Sequence, residues 1–102
     1  MRVLGIDPGS RRTGWGVVQL EGTRLRHIGA GTITVPEKLA LSKRLRRIHE
    51  ALEHVIAEHG PEAVAVEEIF YAKYANAAIK LGHARGVALL AAEQASLEVH
   101  EY

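Results

Sequence analysis

The chain has 102 residues, which is enough for one small domain with a modest core, and its formal net charge is only +1. Any contact with nucleic acid must therefore use local basic patches, and the absence of cysteine excludes a disulfide framework and a thiolate zinc site. With no secretory signal and no apolar run long enough to cross a bilayer, we expect residues 1–102 to form a single cytoplasmic domain without membrane contact.

The first third of the sequence predicts three strands in succession. Arg2–Asp7 is a short apolar run, and it is followed by Thr13–Leu20 and Arg24–Val35, with a hairpin signal at Glu21-Gly22 between them. After the first strand, Asp7-Pro8-Gly9-Ser10 predicts a type II turn, in which glycine at the third position takes a positive φ. An acid therefore ends an apolar strand at the point where the chain turns.

Two helices and two further strands are predicted after these three strands, which form an antiparallel ribbon. Lys38–His59 has the single apolar stripe of an amphipathic helix, and Gly60-Pro61 ends it, because glycine caps the helix and proline cannot continue it. Ala63–Ile69 predicts a fourth strand, Lys73–Ala95 a second helix, and Leu97–Tyr102 the opening of a fifth strand. The order βββαβαβ indicates an α/β domain with a mixed sheet.

The position of the fourth strand decides where the acids lie. A helical crossover brings this strand parallel to an edge of the ribbon, beside either the first or the third strand, and periodicity does not choose between them. Beside the first strand, Glu67 or Glu68 would lie about one strand spacing, ~4.8 Å, from Asp7. Ligand sites favour the carboxyl ends of strands, so the acids indicate this placement.

Two carboxylates this close repel each other and need a shared proton, a basic partner or a divalent metal ion. Mg²⁺ prefers carboxylate oxygens and suits phosphate chemistry, although acids at strand ends are also common without any metal. The histidines offer no rival site, because His49, His54 and His59 are five residues apart and rotate around their helix. We expect all three on the solvated surface.

Two further features suit nucleic acid, and each has a structural alternative. Gly14 and Gly16 leave one face of the second strand without side chains, either for close approach of a ligand or for packing. The segment Phe70–Gly86 interleaves aromatic and basic residues, which suits stacking on bases and contact with phosphates. Its basic residues include Lys73, Lys80 and Arg85. Phe70 could equally pack under the edge of the sheet.

The second helix is apolar nearly all round, whereas a surface helix shows one stripe. Ala78, Gly82 and Gly86 form a row of small residues at four-residue spacing, which permits close approach by another helix. Either this helix is enclosed in a larger domain or it forms a dimer interface. In a chain of this length we favour an interface formed by Ala78, Gly82, Gly86 and Leu89.

Three ordered segments, IDPGSRRTGWGVV, AVEEIF and AKYANAAIKLGHARGVALLAA, closely resemble the RuvC Holliday-junction resolvases of bacteria. The resemblance implies a ribonuclease H-like fold with strand order 3-2-1-4-5. It also implies a homodimeric, Mg²⁺-dependent endonuclease, with Mn²⁺ as a possible substitute. Such an enzyme nicks opposed strands of four-way junction DNA during recombination and repair, together with the RuvA–RuvB branch-migration complex.

The resemblance further implies roles for individual residues. Asp7 and Glu67 correspond to catalytic acids that hold a pair of Mg²⁺ ions, whereas Glu68 falls where relatives tolerate other residues. Phe70 corresponds to an aromatic residue that engages bases near the junction centre, and the second helix resembles the dimer helix. We assign the remaining DNA contacts to basic residues near these motifs, namely Lys73, Lys80, Arg11 and Arg12.

Relatives continue beyond the equivalent of Tyr102, and their last helix supplies two more catalytic aspartates. We therefore expect this chain alone to cleave weakly or not at all. One alternative is a non-catalytic module that binds junction DNA. A less favoured alternative is an actin-like nucleotide-binding fold, for which 102 residues leave no room for a second phosphate loop and an adenosine pocket.

Overall fold

A mixed β-sheet with helices packed on one face makes up the described part of the chain. The computed structural model describes residues 1–9, 11–68 and 75–102. In chain order, its elements are β1 (Arg2–Asp7), β2 (Arg12–Glu21), β3 (Arg24–Thr34), α1 (Leu41–His59), β4 (Ala63–Val66), α2 (Ala75–Gln94) and β5 (Glu98–Glu101). Among these residues, neither helix is long and apolar enough to span a membrane.

The strand order of the sheet is β3-β2-β1-β4-β5, as the resemblance implied. β1, β2 and β3 form an antiparallel ribbon, while β1 pairs parallel with β4 and β4 pairs parallel with β5. The fourth strand therefore lies beside the first, which confirms the placement that the acids indicated. The predicted α/β class, the element order and the mixed sheet are confirmed as well.

The core lies between the sheet and the two helices. Leu4 and Ile6 alternate with more accessible residues along β1 and are almost completely buried, which contributes about 1.5–3 kcal/mol for each side chain. Residues of both helices complete the same cluster: Ile48, Leu52 and Val55 from α1, and Ala84, Ala88, Ala91 and Ala92 from α2. The small alanine side chains of α2 allow it to pack closely against the sheet and α1.

Several element boundaries differ from the prediction. α1 begins at Leu41 rather than Lys38, because the Leu39 N–H donates to the Pro36 carbonyl at 3.3 Å in a turn that precedes the helix. β4 ends at Val66, where its registered pairs with Ile6 of β1 and Glu101 of β5 end. The predicted end of this strand at Ile69 and the predicted start of α2 at Lys73 lie outside the described residues.

The turn after β1 is not a type II turn, because Gly9 does not adopt a positive φ. A Cβ atom at Gly9 would instead overlap the carbonyl oxygen of Arg12, so glycine is needed here for space. The buried Thr13 closes this turn: its hydroxyl accepts from the Gly9 N–H at 3.4 Å and donates to the Gly9 carbonyl at 3.2 Å. The Thr13 side chain therefore stabilises this turn, which the prediction had attributed to a positive φ at Gly9.

Positive φ values occur instead at the hairpin and at the end of α1. Gly22 has a φ of 63° between β2 and β3, at the predicted hairpin. Gly60 has a φ of 57°, and its N–H donates to the Ile56 carbonyl at 2.9 Å, as expected for a left-handed C-cap. These observations confirm the predicted hairpin and the predicted end of the first helix.

The histidines of α1 are less uniformly solvated than predicted. The His54 side chain is 81% exposed, but that of His49 is only 23% exposed and contacts Gln94 of α2 at 2.6 Å. The His59 ring packs against Trp15 of β2 with a centroid distance of 5.3 Å. The prediction of a fully solvated surface is therefore wrong for His49 and His59, because α2 and the sheet cover parts of this helix.

Trp15 also covers glycines on the neighbouring strand, and this packing can be tested. A Cβ atom at Gly31 would lie 2.8 Å from the Trp15 ring, which His59 contacts. We expect Gly31→Ala to lower the free energy of unfolding by about 1–3 kcal/mol, the usual cost of overpacking. Denaturant unfolding measures the change, and tryptophan fluorescence reports the displaced ring.

Gly16→Ala is the matched control, because a Cβ atom there would make only an ordinary contact, 3.9 Å from the Gly29 carbonyl oxygen. Its unfolding midpoint should stay close to that of the wild type. Equal losses of stability in the two variants would contradict this account of Gly31.

Candidate metal centre and nucleic-acid interface

The two acids singled out in the sequence meet at the ends of neighbouring strands. Ile6 of β1 is paired with Val66 of β4, and the Glu67 N–H donates to the Ile6 carbonyl at 3.1 Å. Parallel pairing at this register places Glu67 opposite Asp7, one residue further along each strand. The parallel ladder of buried residues therefore brings the carboxyl groups together.

The acids point to the face of the sheet opposite the helices. Side chains alternate along β1, so Leu4 and Ile6 face the core and Asp7 faces the other way. Asp7 is paired with Gly14 of β2, and a Cβ atom at Gly14 would lie 3.9 Å from the Asp7 Cβ. The missing side chain leaves the sheet surface beside Asp7 open.

The glycines on this face are not required by packing within the described residues. Cβ atoms at Gly5, Gly14 and Gly16 would all make ordinary contacts of 3.8–3.9 Å. The packing alternative therefore finds no support at Gly14 and Gly16. An open backbone surface next to two acids is instead suited to the close approach of another molecule.

The electrostatics of the acid pair show that the carboxyl groups interact. Hydrogen bonding with Asp7 raises the pKa of the Glu67 carboxyl above its ordinary value of 4.5. Repulsion between the two negative charges and partial burial raise this pKa in the same direction. Without a cation, the arrangement therefore favours the protonated form of the Glu67 carboxyl more than solvent alone would.

Two ionised carboxylates with only oxygen donors fit a hard divalent cation such as Mg²⁺ or Mn²⁺. A cation would remove the repulsion that raises the pKa of Glu67, and the open face leaves room for water ligands. The described residues contain no cluster of three or more His, Cys, Asp or Glu side chains that could hold a metal. In this part of the chain, the candidate ligands are thus Asp7 and Glu67 alone.

Glu68 belongs to a different surface from Glu67. Its N–H donates to the Tyr102 carbonyl, and it lines an open groove of about 400 Å³ between α2 and the end of β5. The other residues of this groove are Gly82, Arg85, Gly86, Leu89 and Glu101. The strand register therefore places Glu67, and not Glu68, beside Asp7. The spacing of residues in the sequence could not decide between these two acids.

Arg85 has an internal role that the sequence analysis missed. The prediction grouped it with phosphate-binding residues, but its side chain is only 19% exposed. Its Nε–H donates to the Glu67 carbonyl at 3.2 Å, and its Nη2 pairs with Glu101. The pattern of basic residues could not reveal these partners, because they lie 18 and 16 residues away in the sequence.

The predicted DNA contacts are only partly brought together. Arg11 and Arg12 are exposed where the chain enters β2, at the edge of the sheet that carries Asp7, and Arg11 pairs with Glu37. Lys80 is exposed on α2, about 7.5 Å along the helix from Arg85. Phe70 and Lys73 lie outside the described residues.

The predicted interface residues lie along α2 and beside the groove. Gly82 and Gly86 are exposed, and a Cβ atom at either would meet nothing within 4 Å. Ala78 and Leu89 are half-buried, and Leu89 packs partly against the core. Ala84, Ala88, Ala91 and Ala92 thus face this chain's own core, while Gly82 and Gly86 leave the opposite side of the helix open.

The strand order β3-β2-β1-β4-β5, with two helices packed on the sheet, defines a ribonuclease H-like α/β domain. The sequence model of the crossover junction endodeoxyribonuclease RuvC matches residues 3–102, and the chain belongs to the RuvC family.

Individual relatives agree with this assignment. The chain is 48% identical over 102 residues to RuvC of Azorhizobium caulinodans and 53% identical over 102 residues to RuvC of Syntrophotalea carbinolica. Each match covers all of this chain, and it covers 60% of the Azorhizobium caulinodans relative and 63% of the Syntrophotalea carbinolica relative. The structure of T. thermophilus RuvC in complex with a Holliday junction substrate matches with a TM-score of 0.93 and 37% identity, over 100% of this chain and 62% of that chain. The chain therefore spans about 60% of the length of these relatives.

The acid pair predicts a pH-dependent stability in the absence of metal. Because folding raises the pKa of Glu67 above 4.5, the folded state binds more protons than the unfolded state just above that pH, and stability falls as pH rises. Glu67→Gln removes this repulsion. We therefore expect its Tm relative to the wild type to increase between about pH 4 and pH 7 in EDTA.

Thermal unfolding across this pH range measures the effect, and Glu68→Gln is the matched control. Glu68 carries the same side chain one residue further on but lines the groove beside Arg85. A pH-independent difference for Glu67→Gln, or the same increase for Glu68→Gln, would show that Asp7 and Glu67 do not interact as described.

Proposed function

We propose that the protein is a structure-selective endonuclease that resolves four-way DNA junctions by metal-dependent, symmetric nicking during recombination and repair. The observation that carries this proposal is the pairing of Asp7 and Glu67 at adjacent strand ends in a member of the RuvC family. The structure of T. thermophilus RuvC with a Holliday junction substrate supports junction DNA as the substrate class.

In this proposal, Asp7 and Glu67 hold Mg²⁺, for which Mn²⁺ can substitute. Divalent ions in such a centre supply charge stabilisation at the phosphate and a water nucleophile at neutral pH. The chain itself orients these ligands through the register of β1 and β4. Hydrolysis leaves a 5′-phosphate and a 3′-hydroxyl, which a ligase can seal.

The surface around the acids suits the DNA backbone. Gly5, Gly14 and Gly16 allow a phosphodiester to approach the face of the sheet that carries Asp7. The chain also offers exposed basic residues, Arg11 and Arg12 at the entrance to β2 and Lys80 on α2. They would bind phosphates, while Phe70 and Lys73, outside the described residues, would contact unpaired bases and the adjacent backbone.

Symmetric nicking of opposed strands requires two active sites, and α2 is the proposed dimer element. Ala78, Gly82, Gly86 and Leu89 form its contact surface, since the exposed glycines allow a second helix to approach closely. We further propose that the dimer acts in the cytoplasm with the RuvA–RuvB branch-migration complex, which delivers the junction.

A non-catalytic junction-binding role is the second candidate, and the small number of ligands favours it. Within the described residues, only Asp7 and Glu67 are placed to hold metal, whereas a two-ion centre normally uses more carboxylates. Residues 1–102 alone should therefore bind junction DNA and cleave it weakly or not at all.

Substitution of Asp7 distinguishes catalysis from binding. In the full-length protein, we expect Asp7→Asn to lower the rate of junction nicking more than about 100-fold, because even outer-shell partners of a metal contribute 10–100-fold. Affinity for the junction in EDTA should change little, since binding depends mainly on phosphate contacts. Single-turnover cleavage of a synthetic four-way junction and a gel-shift titration measure the two quantities.

Glu68→Gln serves as the control for charge removal near this site and should cleave normally, because Glu68 lies beside Arg85 rather than Asp7. Near-normal cleavage by Asp7→Asn would rule out the proposed metal role. An equal loss of cleavage and binding would mean that Asp7 supports the DNA-binding surface instead.

The dimer interface can be tested through its exposed glycines. Because nothing lies within 4 Å of a Cβ at Gly82, Gly82→Leu should fold normally but hold a second helix away. We expect sedimentation velocity to show a shift from dimer to monomer for this variant. His83→Leu is the control, since His83 is also exposed but points about 100° away around the helix.

A Gly82→Leu protein that remains as dimeric as the wild type would contradict an interface on this side of α2. A loss of dimer in both variants would indicate a wider effect of leucine on the helix surface rather than close packing at the glycine row.

A further inference from the structure

Arg85 connects the candidate metal centre to the rest of the fold. Its side chain extends from α2 to the point where β4 ends and contacts two different elements. The Nε–H donates to the Glu67 carbonyl at 3.2 Å, and the other side of the guanidinium pairs with Glu101 at the end of β5. With 19% of its side chain exposed, Arg85 is largely enclosed by these partners.

The contact falls at a position where the sheet no longer holds the backbone completely. The Tyr102 N–H donates to the Val66 carbonyl at 3.1 Å, and the Glu68 N–H donates to the Tyr102 carbonyl, so these two bonds to the end of β5 flank Glu67. The Glu67 carbonyl receives the Arg85 donor instead. On the other side of the same residue, the Glu67 N–H is bonded to Ile6. Glu67 is therefore held from both directions, by β1 and by α2.

Arginine suits this position because its planar guanidinium carries several donors in a fixed geometry. One edge can bind the carbonyl while another binds the Glu101 carboxylate, and the ion pair limits the rotation of the side chain. Lysine has a single flexible ammonium group and cannot reproduce this bridge in the same geometry.

We propose that Arg85 is a positioning residue that fixes the backbone of Glu67 and thereby keeps its carboxylate beside Asp7. This inference rests on the proposed function, in which the acid pair holds divalent ions. Arg85 acts through Glu67 and is not a ligand. Its enclosed pairing with Glu101 also distinguishes it from the exposed basic residues Arg12 and Lys80.

Mn²⁺ binding in the absence of DNA tests the proposal without relying on cleavage. Titration of the full-length protein with Mn²⁺, followed by electron paramagnetic resonance, should show about 10–100-fold weaker binding for Arg85→Gln, the usual effect of losing an outer-shell contact. Arg85→Lys keeps the charge but not the bridge, so its affinity should lie between those of the wild type and Arg85→Gln. This second variant keeps the test decisive if Arg85→Gln does not fold.

Arg46→Gln is the matched control. Arg46 also lies on a helix and pairs with a glutamate, Glu50 at 2.8 Å, but its side chain is 80% exposed and its partner is on the same helix. Its Mn²⁺ affinity should equal that of the wild type. The carbonyl ¹³C resonance of Glu67 provides a direct check, since it should move in Arg85→Gln and Arg85→Lys and stay in place in Arg46→Gln.

The outcomes separate this inference from the proposed function. If Asp7→Asn removes Mn²⁺ binding but both Arg85 variants bind as tightly as Arg46→Gln, the positioning role is wrong and the metal site stands. If Asp7→Asn leaves Mn²⁺ binding unchanged, the metal site is wrong and the positioning role fails with it. Weaker junction affinity with unchanged Mn²⁺ affinity in Arg85→Gln would show a direct DNA contact, which also overturns the proposal.

Discussion

The parallel pairing of β1 with β4 is the constraint on which the rest of the structure depends. Leu4 and Ile6 lie beside Val64 and Val66, and all four side chains are buried against the helices. Because side chains alternate along each strand, burying these residues turns the following acids to the open face. The interaction that stabilises the core is therefore also the one that places two carboxylates side by side.

This placement works against stability. Asp7 raises the pKa of Glu67, which means that the folded chain holds two negative charges closer together than the unfolded chain does. The buried apolar residues of β1 and β4 offset this repulsion, since burial of each large side chain contributes about 1.5–3 kcal/mol to stability. A pair of like charges maintained at the expense of stability is typical of a site selected for binding.

Much of the fold was predictable from local sequence, because hydrophobic periodicity and glycine signals depend on near neighbours. The helices, the hairpin at Gly22 and the C-cap at Gly60 follow from such signals. The turn at Gly9 was predicted wrongly, because its glycine accommodates the Arg12 backbone and no local pattern reveals that approach. Asp7 could be singled out from its strand-end position, but the choice of Glu67 over Glu68 required the register of β4 or the family resemblance.

The role of α2 shows why the remaining part of the site could not be predicted. Its apolar residues occur nearly all round the helix, yet four of its alanines pack on the core, Gly82 and Gly86 face outward and Arg85 reaches the end of β4. Three surfaces with different partners thus alternate along one helix, and only the tertiary structure separates them. Arg85 lies next to Gly86 and one turn from Gly82, so the proposed interface and the backbone of Glu67 are supported by the same short stretch of helix. A partner helix packed on these glycines would hold α2, and with it the donor that positions Glu67, in place.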